Sequence, residues 1–172
     1  MMGSQMDQSD YFKSILSYDE ITGKLYWKHR ADMPAFWNTR YAGKEAGRIN
    51  NGYVSVKIND KSYYAHRIIW CIKTGKMPAN LIDHINMDRK DNRFENLREA
   101  SYSTNMMNMA KPLDNTSGSK GVNFNHVKNK WMARICVNGK RQHLGYFDCI
   151  AAAYFAYVVA ANKYHGAFAR VA

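Results

Sequence analysis

The sequence predicts an α+β chain of two units, and three observations carry that prediction. Short alternating apolar runs adjoin Asn-Gly turns: Asn51-Gly52 precedes one, and Asn138-Gly139 lies between two, which is the local chemistry of a β-hairpin. Helical stretches stop at glycine, at Gly75 and Gly166. A polar stretch from Asn105 to Ser119, with Pro112, Gly118 and many Asn, Ser and Thr residues, interrupts the chain between the two sets of elements. The organisation expected is a tail or expression scar at 1–10, a first domain at 11–108, a linker at 109–119 and a second domain at 120–172.

In the first domain, Lys24 to Trp27 and Tyr53 to Ile58 read as strands, the second placing Val54, Val56 and Ile58 on one face. Lys61 to Ala65 pairs back across Asn59-Asp60. A helix from about His66 to Lys73 follows and stops at Gly75, with Pro78 beyond. Leu81 to Asp83 is a brief extended segment. A second helix is expected from about Arg93, because Asn92 and Glu95 have the spacing of an N-cap and its N3 partner.

The second domain is a three-stranded antiparallel sheet packed on one α-helix. Its strands are Gly121 to His126, Lys130 to Val137 and Arg141 to Phe147; its helix is 150–164, capped by Asp148. Period-two alternation puts Trp131, Ala133, Ile135 and Val137 on one face, joined by Leu144 and Tyr146. Ala152, Ala153, Ala156 and Ala160 let the helix approach closely. The opposite face then carries Asn123, Asn125, Lys130, Arg134, Arg141 and His143, a polar and mostly basic platform suited to a DNA groove.

Composition narrows the function class. With 46% hydrophobic and 13% aromatic residues in 172, the chain has enough apolar mass for a packed core, so it is not a disordered polymer. Neither an 18-residue apolar run nor a secretory h-region is present, so no membrane partner is expected. Cys71, Cys136 and Cys149 form no CxxC pair and no disulfide framework, which fits a reducing, cytoplasmic location. The net charge is +11, and residues 120–172 alone contribute +7. That balance points to a polyanionic partner, above all nucleic acid.

Chemistry concentrates between Asp83 and Arg98, where oxygen donors surround His84. An EF-hand fails, since Ile85 falls on the third loop position and Asp88 where glycine is required. Zinc fails for want of thiols and a second nearby histidine. Phosphodiester hydrolysis fits: His84 is a base of suitable pKa, while Asp83 and an asparagine carbonyl suit a hard cation that keeps most of its waters. Neighbours on a strand face opposite ways, so Asp83 and His84 can share a phosphate only from either side or at a strand end.

Asp83-His84, Asn92 and Asn96, with the flanks His66-Arg-Ile-Ile-Trp70 and Glu95 to Ser101, resemble the HNH endonucleases of phages, in the variant whose third position is asparagine. The resemblance covers roughly residues 20–108. It implies a ββα-metal fold, with Asp83 and Asn96 as ligands of a divalent ion (Mg²⁺, with Mn²⁺ as the alternative), His84 as general base, and Asn92 bracing the loop and orienting His84. It implies no structural zinc. Beside such a centre, Arg67, Arg89, Lys90, Arg93 and Arg98 read as phosphate contacts, and His66 as core support. Gly121-Val122, Lys130-Trp131, Ala133 to Ile135, Gly139-Lys140 and His143 to Phe147 resemble the ethylene-response-factor (Apetala-type) domain of plants, which reads double-stranded DNA with its sheet.

The expectation is therefore a homing-type DNA endonuclease that nicks as a monomer and needs a dimer for double-strand cleavage. Two rivals stand beside it. One is a sequence-specific DNA-binding regulator with an inactive nuclease domain. The other is a nuclease that selects structure or RNA, which a groove-reading sheet disfavours.

Overall fold

The computed structural model describes residues 6–102 and 115–169, and it is α+β. Contacts divide it into two compact units, Met1–Glu99 and Ala100–Ala172, so the division falls earlier than the break expected after residue 108.

The first unit opens with helix α1 (Gln8–Ile15), capped by Asp7, whose carboxylate accepts from Ser9 N. Ser9 is fully buried, and its hydroxyl donates to Cys71 O at 3.0 Å. Residues 8–10 are thus part of the fold rather than of a tail; residues 1–5 lie outside the described residues. Strands β1 (Leu16–Asp19) and β2 (Lys24–Trp27) form an antiparallel hairpin. After the short helix α2 (Ala35–Tyr41) come β3 (Arg48–Asn50), β4 (Tyr53–Ile58) and β5 (Lys61–Tyr64), an antiparallel sheet in sequential order.

Helix α3 (Ala65–Thr74) follows β5 directly and ends at Gly75, whose φ of 82° is the left-handed cap that glycine provides cheaply. Its buried side, Ile68, Ile69 and Cys71, closes one core with Phe12, Leu16, Leu25, Val56 and Ile58. The alternation expected of β4 holds, since Val56 and Ile58 are buried and Val54 packs against them. Strand β6 (Leu81–His84) then pairs with β7 (Leu97–Ala100).

No α-helix starts at Arg93. A single 3₁₀ turn occupies Phe94–Asn96, and the chain re-enters extended structure at Leu97. The expected capping pair Asn92 and Glu95 does not form, because the Asn92 side chain is spent on His84 and Lys90, and Glu95 accepts from Arg93.

In the second unit, β8 (Val122–Asn125), β9 (Lys130–Val137) and β10 (Lys140–Phe147) form an antiparallel sheet with β9 central, and α4 (Ile150–His165) packs across it. Residues 109–114 of the expected linker lie outside the described residues. Residues 115–119 form a hydrogen-bonded turn on the start of β8, where Ser117 Oγ donates to Val122 O at 2.6 Å. Helix α4 is capped by Cys149, while Asp148 pairs with Lys130 at 3.0 Å. Its buried stripe is Ala153, Tyr157, Ala160 and Ala161, with Ala152 exposed. His165 is buried, its Nε2 2.9 Å from Cys136 O.

A register shift between His143 and Gly145 corrects one assignment on β10. Tyr146 stands opposite Met132, on the side away from α4, its ring 4.6 Å from His143 and 4.2 Å from Lys128 Nζ. Phe147 takes the core position instead, opposite Trp131.

Gly121 is where this unit tolerates least. Its φ is +74°, and a Cβ there would sit 2.2 Å from the Tyr157 ring and 2.7 Å from Arg134 O. Gly118 shares the left-handed backbone but has open space around it. Gly121→Ala should cost about 2–5 kcal/mol, left-handed strain plus overpacking, and Gly118→Ala only about 1–2 kcal/mol. Hydrogen exchange at the β9 amides of the full chain reads both; equal losses would refute the close-packing account.

Candidate active site

The candidate site is built where β6 ends. The loop from Ile85 to Arg93 leaves at His84 and returns through the 3₁₀ turn to β7, and it is closed by its own polar side chains. Ile85 N donates to Asn96 O at 2.9 Å, and Met87 N to His84 O at 3.0 Å. Asn96 Oδ1 accepts from Asn86 N at 2.9 Å, while its Nδ2 donates to Asn86 Oδ1 at 2.9 Å and to Asp91 O at 2.8 Å. Asn86 in turn donates to Asp91 Oδ2 at 2.7 Å. Asn86 and Asp91 were not singled out by the sequence reading; the signal available was a run of short polar residues, which favour such self-bonded turns.

His84 is 4% exposed and Asn92 2%. Their side chains meet, with His84 Nε2 3.1 Å from Asn92 Oδ1. The amide orientation is set by the other end, because Asn92 Nδ2 donates to Lys90 O at 3.2 Å. Oδ1 can only accept, so Nε2 must carry the proton. With Nε2 so engaged, Nδ1 is the ring nitrogen left to offer a lone pair.

Asp83, one residue earlier, turns to β7. Arg98 grips its Oδ2 through Nε at 2.9 Å and Nη2 at 2.8 Å, which fixes the carboxylate plane. The two side chains leave the strand toward different partners, as strand alternation requires.

Aromatic rings wall the histidine. His66, from α3, meets His84 edge-on with centroids 5.1 Å apart, Tyr64 stacks on His66 at 5.4 Å, and Tyr53 lies 5.5 Å from His66 and 6.1 Å from His84. Burial first, then its neighbours His84 and Arg67, pushes His66 down to about 3. It is a neutral ring at any working pH, and its Nδ1 is buried without a partner.

The expected phosphate contacts separate into two groups. Arg67 donates to Asn80 O and Pro78 O, Arg93 pairs with Asp91 and Glu95, and Arg98 holds Asp83. Those three guanidinium groups brace the protein. Arg89 and Lys90 are exposed and in no ion pair among the described residues; Arg89 lies 4.9 Å over the Tyr53 ring.

In the second unit, strand register places Asn123, Asn125, Lys130, Arg134, Arg141 and His143 on one side of the sheet, opposite α4.

Among the described residues no three His, Cys, Asp or Glu side chains gather as a metal cage. A buried carboxylate such as Asp83 is the kind of donor that a hard ion of the Mg²⁺ class takes, one or two at a time, completing its shell with water and phosphate oxygens. Asp83 is the residue that fits. The Asn96 carboxamide, assigned to the same ion from sequence, is engaged at both ends by the loop.

The HNH endonuclease family profile matches residues 63–107, the segment that holds this constellation. Protein 3.8 of Escherichia phage T7 is 30% identical over 106 residues, which span 61% of this chain and 87% of that protein. No solved structure matches significantly.

Two groups of this site set the acid limb of stability. The Arg93 side chain, ahead of all other causes, holds Asp91 down to about 2. A depressed carboxylate contributes stability above its unfolded pKa, near 4, and the contribution is lost as pH falls toward 2. His66 adds an earlier loss: the unfolded chain takes up its proton near pH 6.5 and the folded one only near 3, so stability falls across that interval. Thermal denaturation against pH should show both slopes. Asp91→Asn should flatten the slope between about 4 and 2 alone, and His66→Gln that between about 6.5 and 3; unchanged slopes would contradict these environments.

Proposed function

We propose that this chain, which belongs to the HNH endonuclease family, is a metal-dependent nuclease that hydrolyses phosphodiester bonds in double-stranded DNA. The observation that carries the reading is the His84–Asn92 hydrogen bond, which engages Nε2 and leaves Nδ1 as the nitrogen that can act as a base.

His84 Nδ1 takes a proton from water as the water oxygen bonds to phosphorus and the bond to the leaving sugar oxygen breaks; that oxygen collects a proton from solvent. Asn92 keeps the proton on Nε2, so the base stays in the reactive tautomer. Asp83 would hold the divalent ion, and Arg98 keeps that carboxylate in place. An ion held there would supply positive charge to stabilise the charge that develops during hydrolysis. Arg89 and Lys90 meet backbone phosphates, a contact that positions without reading sequence. Asn96 serves by shaping the loop.

The outward side of the β8–β9–β10 sheet is proposed as the part that selects the site, as in the plant domain it resembles. Its Arg134, Arg141, Lys130, His143, Asn123 and Asn125 offer donors and acceptors to base edges. With one nuclease centre, a monomer nicks. The finer assignment is a phage homing-type enzyme acting in the host cytoplasm.

Supercoiled plasmid and the parent genome, each incubated with Mg²⁺, test the reading. His84→Ala should lose roughly 10²–10⁴-fold in cleavage while DNA binding persists. EDTA should stop cleavage and leave the circular dichroism spectrum intact. Wild-type rates from His84→Ala would end the base assignment, and DNA binding with no cleavage by the wild type would favour the regulator.

Arg134→Ala or Arg141→Ala should relax preference at one or two base pairs by roughly 1–3 kcal/mol where the arginine is bidentate to guanine. A phosphate contact would instead weaken binding to all sequences and lower the salt slope by about one. Cleavage-site profiles at two salt concentrations separate these. Profiles identical to wild type for both variants would remove the sheet from site selection.

A further inference from the structure

We propose that Tyr18, on the hairpin that precedes the segment matched by the HNH family profile, is a positioning residue that holds His84 in its basic tautomer by fixing the main chain of Asn92. The proposal rests on the reading of His84 as the base.

The hairpin reaches the catalytic loop at two points. The Tyr18 hydroxyl donates to Asn92 O at 3.3 Å and accepts from Phe94 N at 2.8 Å, so one group satisfies both main-chain groups that flank Arg93. Burial pushes the Tyr18 phenol up, so it stays protonated and remains a donor. At the hairpin tip, Gly23 has φ +71°, and a Cβ on it would lie 2.5 Å from Arg93 N and 2.7 Å from Asn92 C. Only a residue without a side chain lets the tip press on that peptide. The tip is rigid in its own right, since Asp19 accepts from Ile21 N at 2.9 Å and from Thr22 Oγ1 at 2.6 Å.

Asn92 is therefore held from three sides. Its carbonyl is tied to Tyr18, its peptide to Arg93 lies against Gly23, and its amide nitrogen donates to Lys90 O. What remains is Oδ1, and it faces His84 Nε2. A hydrogen bond of 3.1 Å fails if the acceptor moves by about 1 Å, and a misplacement of that size can cost about 10²-fold in rate. Losing the hydroxyl frees Phe94 N–H and Asn92 C=O from their partner. The loop can then rotate, and His84 is released to exchange its two neutral tautomers.

The test is Tyr18→Phe in the full chain, which keeps the ring and deletes the hydroxyl. Two readouts are combined: the ¹⁵N chemical shifts of His84, which distinguish the Nε2–H from the Nδ1–H tautomer without metal or substrate, and cleavage kinetics well below the unfolding temperature. Expected are a single Nε2–H tautomer in the wild type, a mixture in Tyr18→Phe, and a fall in kcat of roughly 10-fold or more with KM nearly unchanged. A pure Nε2–H tautomer with wild-type kcat in Tyr18→Phe would overturn the proposal, leaving Tyr18 a structural residue. Should Tyr18→Phe not fold, Gly23→Ala applies the same displacement from the other side and is held to the same outcomes. If the wild type itself does not cleave, the nuclease reading fails, while the tautomer measurement still decides the positioning role.

Discussion

The hydrogen bond between His84 and Asn92 is the constraint on which the first unit is organised. It asks that two residues eight positions apart be buried together, one at a strand end and one in a loop. The strand end is supplied by β6 against β7. The loop is supplied by a closed set of asparagine and aspartate bonds that needs no regular structure. The rings of His66 and Tyr53 pack beside the histidine. Burial of this kind is costly for a polar pair unless its groups are satisfied, and here His84 Nε2 and both ends of the Asn92 amide have partners. The result is an imidazole whose tautomer is decided by the fold.

The positive charge of the chain divides between architecture and ligand. A net charge of +11 suggests many surface cations free for a polyanion. Three of the five basic residues expected to touch phosphate around the site are instead bound within the protein. All three are arginine, whose planar fork can satisfy two acceptors at once and suits carboxylates and loop carbonyls. Arg89 and Lys90 stay exposed. Charge counted along a sequence thus overestimates the cations available to DNA near the centre.

The second unit uses different physics. Its sheet has one side committed to an alanine-rich helix, and small side chains such as Ala153 and Ala161 allow the close packing that Gly121 completes. The other side is free of that duty and carries the polar and basic residues in register. The bulge at 143–145 moves Tyr146 to this polar side, where its ring lies beside His143 and Lys128. An aromatic ring in a basic patch provides a stacking surface as well as charge.

What the sequence determined by itself were the features governed by neighbours in the chain. The hairpins at 59–60 and 138–139, the strands around them, the helix that stops at Gly75 and the long final helix follow from alternation and turn chemistry, which act over a few residues. The grouping of Asp83, His84 and Asn92 was legible too, because all lie within ten positions. Tertiary structure decided the rest. The helix expected at Arg93 gave way to a 3₁₀ turn and strand β7, since Asn92 and Asn96 bond across the loop rather than along a helix. Helix α1 was hidden because its polar residues disguise the few that are buried, Ser9, Phe12 and Ile15. The contact of Tyr18 with Asn92 joins residues 74 positions apart. No local pattern encodes it, because such pairs are chosen by how the hairpin packs on the loop once both have formed.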